Sequence, residues 1–149
     1  MNALQLLKDD HDRVKGMLED LDATTERAEK GRTEGLAKLK ADLQVHEAIE
    51  EEIFYPALKR FAEAKDIVLE AFEEHDVVDT IMAELEATPV SDETWAAKFT
   101  VMKENLEHHI EEEEGEMFDQ ARRAMEPNEL TRLGEEMAAR KKELQRAGV

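Results

Sequence analysis

The chain has 149 residues, no cysteine, and 38 acidic against 20 basic residues, a formal net charge of −18 at pH 7. That length suits a single domain with its own core and no disulfide staple, and without thiolates any bound metal must be held by nitrogen and oxygen donors. The acidic balance excludes the basic footprint that nucleic acid requires and repels anionic membranes, while it favours cations. Neither a signal peptide nor a long apolar run is readable, and the expected location is the cytoplasm, in keeping with the absent cysteines.

Three prolines and six glycines punctuate long runs of Glu, Lys, Leu and Ala with no period-two alternation, so the expected fold class is all-α. Asn2 with Gln5 reads as a capping box that opens a first helix with the stripe Leu4, Leu7, His11, Val14, Leu18, Leu21. It should end before a Lys30-Gly31 turn. A second helix is expected from near Thr33, carrying Leu36, Leu39, Leu43, His46, Glu50, Ile53 and Ala57, with Pro56 a potential kink. The third spans about Lys65 to Ala87 with Val68, Phe72, His75, Val78, Met82 and Leu85. Thr88 to Ser91 is a loop, and Ser91 is the expected N-cap of a fourth helix with Trp95, Phe99, Met102, Leu106, His109, Glu113 and Met117. From Pro127, Leu130, Leu133, Met137 and Leu144 mark a fifth helix. The whole is one domain, 1–149, made of an up-down four-helix bundle (1–126) and a C-terminal packing helix (127–149).

An internal repeat ties these segments together. His11-Asp12-Arg13-Val14 returns as His75-Asp76-Val77-Val78, and the pair His46, Glu50 returns as His109, Glu113. A His and a Glu four apart stand one above the other on a helix and can grip one ion together. Two αα-hairpins, each giving a lone His and a His-x-x-x-Glu pair, make a bundle with a pseudo-twofold axis and a ligand near it. All six side chains lie in apolar stripes, where an unpartnered carboxylate is prohibitively costly, so Glu50 and Glu113 need a neutralising partner and a cation is the simplest. Six imidazole and carboxylate donors are too many for one tetrahedral zinc and suit two adjacent ions bridged by carboxylates. Iron leads, with manganese behind it and zinc also allowed. A ferritin-type site would carry Glu-x-x-His instead.

At these residues the chain resembles the hemerythrin-like, or HHE cation-binding, domain family over about residues 1–120. The resemblance rests on His11, His46-x-x-x-Glu50 with Phe-Tyr-Pro after it, His75, and His109-x-x-x-Glu113. It implies an oxo- or hydroxo-bridged pair of iron ions, with Glu50 and Glu113 bridging and His11, His46, His75 and His109 as terminal ligands. Oxygen-carrying members have a second histidine four residues along the third helix, where this chain has Asp79. Asp79 is therefore expected either as a replacement ligand or as an acid or base behind the ligands. The tail resembles bacterial, mycobacterial-type members that are associated with peroxide decomposition.

Other residues read as ordinary structure. His108 should face the surface or stand behind the ligands, the glutamates beside Glu50 and Glu113 should be solvated, and Trp95 and the methionines should fill the core. Tyr55 reads as packing rather than as a phenolate, since on a regular helix Phe54 lies one turn beyond Glu50. Two histidines, a share of two carboxylates and an oxo or hydroxo bridge give each octahedral iron five donors and leave one position open. That favours reaction with oxygen species, most concretely disproportionation of hydrogen peroxide, over reversible O2 binding, oxygen or iron sensing, or iron storage. The expected partner is O2 or H2O2, and the expected state is a monomer or weak homodimer.

Overall fold

In the computed structural model, which describes residues 1–148, all regular structure among those residues is helical. Helix α1 (Ala3–Asp22) opens as expected, with the Asn2 side chain accepting from the Gln5 amide at 2.9 Å. Helix α2 (Glu29–Ile49) begins earlier than Thr33, so Lys30 and Gly31 sit in its first turn. Buried Arg32 explains the shift. Its guanidinium bonds Thr24 and the Val90 carbonyl and stacks 4.4 Å over Trp95, which pins this end of the helix to two loops. A π-helical turn, Glu50–Phe54, continues α2 into α3 (Tyr55–Lys59). After a short 3-10 turn, α4 (Lys65–Ala87) runs as expected.

Helix α5 (Glu93–Glu112) is capped by Asp92, not Ser91: the Asp92 carboxylate accepts from the Thr94 amide at 2.7 Å. A second π turn, Glu113–Met117, leads into α6 (Phe118–Ala124). Helix α7 (Pro127–Arg146) follows, and the expected continuation to Val149 lies outside the described residues. Helix α1 packs on α2 and α4 on α5, while α7 lies against α1, α2 and the first π turn. Four helical rods joined by short connections thus form the bundle, and the fifth covers one side of it.

Burial divides the interior into two apolar clusters. One gathers Val14, Leu18, Leu39, Met82, Trp95, Phe99 and Met102. The other gathers Leu7, Ile49, Phe54, Tyr55, Val68, Phe118 and the α7 stripe Leu130, Leu133, Met137 and Leu144. Buried histidines and glutamates lie along the helices between them, since the stripes of α1 and α2 run Leu7, His11, Val14 and Leu43, His46, Ile49. Helix α7 comes so close to the start of the chain that a Cβ on Gly134 would lie 2.3 Å from the Met1 carbonyl oxygen.

Candidate metal centre

The repeated elements bring His11, His46, Glu50, His75, His109 and Glu113 to one place, each no more than 5% exposed. Glu113 reaches across the bundle: Oε1 lies 3.1 Å from His11 Nε2 and Oε2 lies 3.3 Å from His109 Nε2. Glu50 spans it through one oxygen, with Oε1 3.2 Å from His46 Nε2 and 3.1 Å from His75 Nε2. Two overlapping donor groups result, His11, His46, Glu50 and Glu113 in one, and Glu50, His75 and His109 in the other.

Behind every imidazole stands another carboxylate. Asp10 meets His46 Nδ1 at 3.0 Å, Glu114 meets His11 Nδ1 at 2.7 Å, Glu51 meets His75 Nδ1 at 2.6 Å, and Glu74 meets His109 Nδ1 at 2.7 Å. A carboxylate accepts, so each Nδ1 donates, and each Nε2 is left with its lone pair facing the centre. Glu51 and Glu114, expected to be solvated, are thus structural partners of the histidines. The sequence signal was there: an acid precedes each lone histidine (Asp10, Glu74) and another follows Glu50 and Glu113 (Glu51, Glu114).

The π turns correct the expectation for Tyr55. In a π turn the amide bonds the carbonyl five residues back, and the Tyr55 N–H indeed bonds the Glu50 carbonyl. Tyr55 therefore occupies the place one turn beyond Glu50 that regular helical spacing gives to Phe54. Its buried hydroxyl donates to Glu113 Oε2 at 2.6 Å and lies 3.2 Å from His75 Nε2 and 3.4 Å from His109 Nε2. Pro56 is not the cause, because the second copy makes the same turn with Asp119 at the matching position. There Phe118 takes the place of Tyr55, and its ring stacks on His11 with centroids 6.3 Å apart.

The donors fit a cation. With the imidazoles neutral, His11 Nε2, both Glu50 oxygens and Glu113 Oε1 make no hydrogen bond among the described residues: lone pairs face one another across 3.1–3.2 Å, and buried acceptors so placed need a cation or protons between them. Without metal, protons take its place. Burial opposes charge on His46, yet Glu50 and Asp10 outweigh it and hold the imidazolium up to about 10. His75, likewise buried but facing Glu50, is raised to about 9. Burial works against Glu113 too, but Glu50, His109 and His11 hold its carboxyl well below the usual range.

Asp79 is not among the converging donors. The stripe of α4 that faces inward runs Ala71, His75, Val78 and Met82, so Asp79 is turned outward and exposed, beside Glu47 in an outer pocket that Lys40 and Glu86 also line. Glu47 itself lines a second, inner cavity of about 10 Å³ bounded by His11, His46, His75 and His109. Burial first and Asp79 second raise the Glu47 carboxyl to about 9. His108 is exposed and pairs with Glu112 at 3.2 Å.

The sequence matches the Hemerythrin HHE cation binding domain over residues 2–121. It is 31% identical to the uncharacterized proteins Mb2666c of Mycobacterium bovis and Rv2633c of Mycobacterium tuberculosis, over 97% of this chain and 88% of each of theirs. The crystal structure of a hemerythrin HHE cation binding domain-containing protein from Mycobacterium kansasii, a homolog of Rv2633c, superposes with a TM-score of 0.88. That match has 30% identity and covers 99% of this chain and 89% of that one. With its buried His and Glu groups disposed to bind metal, the chain belongs to the hemerythrin HHE cation-binding family.

Proposed function

We propose that the protein holds two iron ions and uses them to disproportionate hydrogen peroxide. The observation that carries this reading is that Glu113 and Glu50 each lie within 3.3 Å of imidazoles from both halves of the bundle, as carboxylates shared between two ions must. His11 and His46 would hold one ion and His75 and His109 the other; manganese or zinc would fit the same donors, but zinc has no second oxidation state with which to serve the proposed reaction. Tyr55 would offer a further oxygen donor on the His75 and His109 side, because its oxygen already lies among their Nε2 atoms and Glu113; without metal, burial and Glu113 hold its proton in place. When bound, the irons supply the electrons by alternating oxidation state.

The chain's own groups do the rest. The four Nδ1 hydrogen bonds fix the imidazoles, and the apolar clusters on either side keep bulk water out. The inner cavity, about 10 Å³, is at the lower limit for one water-sized molecule and leaves no room for a large substrate. Glu47, on the wall of that cavity, would relay the two protons that cleavage of one peroxide's O–O bond takes up and that oxidation of the second peroxide to O2 returns, with Asp79 one carboxyl further out.

Oxygen-electrode assays of the iron-loaded protein test the reading: oxygen should be evolved from peroxide, with two irons per chain. Glu47→Gln should cut the rate on the order of a hundredfold with iron content unchanged. A stable oxygen complex without oxygen evolution from peroxide would overturn it in favour of a carrier or sensor. Residence in the cytoplasm and a monomeric or weakly dimeric state belong to the same proposal; fractionation and light scattering test them.

A further inference from the structure

We infer that Lys141 of the C-terminal helix is a positioning residue for the metal centre, acting through Asp10 on His46 and making the two metal positions electrostatically unequal. This rests on the reading of His46 and His109 as ligands.

The four backing carboxylates are not equivalent. Glu114, Glu51 and Glu74 are 20%, 38% and 29% exposed, whereas Asp10 is 1% exposed. Asp10 Oδ2 accepts from His46 Nδ1, and its Oδ1 accepts from Lys141 Nζ at 2.5 Å and from Arg13 Nη2 at 3.0 Å. Two cations thus share the charge of the carboxylate behind His46. A third, exposed Lys8, lies 4.0 Å from Glu114 behind His11. In the other half, Glu74 and Glu51 meet no Lys or Arg among the described residues. The neighbours of Glu74 are Glu112 and His108.

The repeat shows where the difference comes from. Asp10 matches Glu74, but Arg13 matches the exposed Val77, and α7 lies on the α1 and α2 side. A carboxylate with unshared charge pulls harder on an imidazole Nδ1–H and makes Nε2 the stronger donor. His109 is therefore the more electron-rich ligand and His46 the less. The ion on His11 and His46 is the easier to reduce. Among the described residues Lys141 Nζ pairs with Asp10 and with none of the six candidate donors, which makes Asp10 the shortest route from Lys141 to the centre.

The test is redox titration of the iron-loaded protein, following its two one-electron steps, together with imidazole N–H resonances of the zinc-loaded protein, which is diamagnetic. Lys141→Met should lower the higher of the two potentials and move the His46 Nδ1–H resonance, leaving that of His109 in place. Asp10→Asn should shift the same potential upward, and Lys141→Arg, which keeps the cation, should leave it where it is in the unaltered protein. Arg140→Met removes a neighbouring α7 cation that bonds Glu52, not Asp10, and should move neither. Opposite signs for Lys141→Met and Asp10→Asn separate charge tuning from loosened packing. If Lys141→Met fails to fold, Lys141→Gln and Asp10→Asn carry the same test. The inference falls if these variants keep two irons with unchanged potentials, or if Arg140→Met shifts them equally. If the unaltered protein does not take up two metals, the proposed function falls first and this inference with it.

Discussion

The half of the centre built on α1 and α2 and the half built on α4 and α5 present the same imidazoles at the same spacing, yet their surroundings differ. The first has Phe118 against His11, a buried Asp10, and cations from α1 and α7. The second has the Tyr55 hydroxyl and two half-exposed, uncompensated acids. A repeated sequence therefore fixes where donors stand, while single departures from the repeat decide how strong each donor is. The largest expected effect comes from removing what joins the halves. Glu113→Ala should reduce bound iron from the proposed two per chain to one or none, measured by elemental analysis. In the metal-free protein it should cost about 3–5 kcal/mol, because protonated His109 loses a buried counter-charge.

Next is pH. In the metal-free protein His46 and His75 are raised from 6.5 to about 10 and about 9. The stability they contribute is fully present below 6.5 and is lost as pH rises through 9 and 10. Glu47, raised from 4.5 to about 9, acts in the same direction: the unfolded chain releases its proton above 4.5 and the native protein holds it. Thermal melts of the chelator-stripped protein should therefore fall steadily from pH 6.5 to pH 10. The metal-loaded protein, whose imidazoles face metal in place of protons, should lose less over that range. Equal slopes would contradict the exchange of protons for metal.

Gly134→Ala breaks the comparison by disturbing α7, which covers one half only. A methyl group would meet the Met1 carbonyl oxygen at 2.3 Å and the Ala3 nitrogen at 2.7 Å, both backbone atoms that cannot swing aside. The expected loss is about 1–3 kcal/mol, read by denaturant unfolding. Tyr55→Phe makes the halves more alike. It removes a buried 2.6 Å hydrogen bond, a loss of about 1 kcal/mol without metal. If Tyr55 is a ligand as proposed, the iron-loaded protein should show a visible phenolate-to-iron absorption that this variant lacks. Phe118→Tyr should add a second such band.

The six buried His and Glu residues were legible because helical periodicity and a repeat of the whole hairpin are patterns of spacing, which sequence displays directly. So were the bundle and its fifth helix. Tyr55 was not, because a π turn shifts one hydrogen bond without altering the apolar pattern; the ring that regular spacing aims elsewhere is turned into the centre. Asp79 was misplaced for the opposite reason, since α4 stays regular there and its inward stripe passes through Val78 and Met82. Glu51, Glu114, Asp10 and Glu74 were missed because their partners lie on other helices. Only docking the rods brings Glu114 to His11, 103 residues away.

The smallest effect should come from Arg140, one residue from Lys141 and bonded to the same side of the bundle. Its guanidinium forks onto Glu52 at 2.9 and 3.2 Å and also meets Glu143 at 3.1 Å, with both glutamates exposed. Fork geometry is the strongest form of ion pair, but in water the attraction is screened and set against the entropy of holding two long side chains. Arg140→Met should therefore shift the melting temperature less than Gly134→Ala does, and the shift should vanish in high salt. Lys141→Met, by contrast, should keep its effect there, because the Asp10 it leaves behind is shielded from solvent ions. A salt-insensitive loss at Arg140 would mean that α7 is held by its charges as much as by Leu130, Leu133 and Met137, and would move the boundary between the two halves from Asp10 to the whole face of α7.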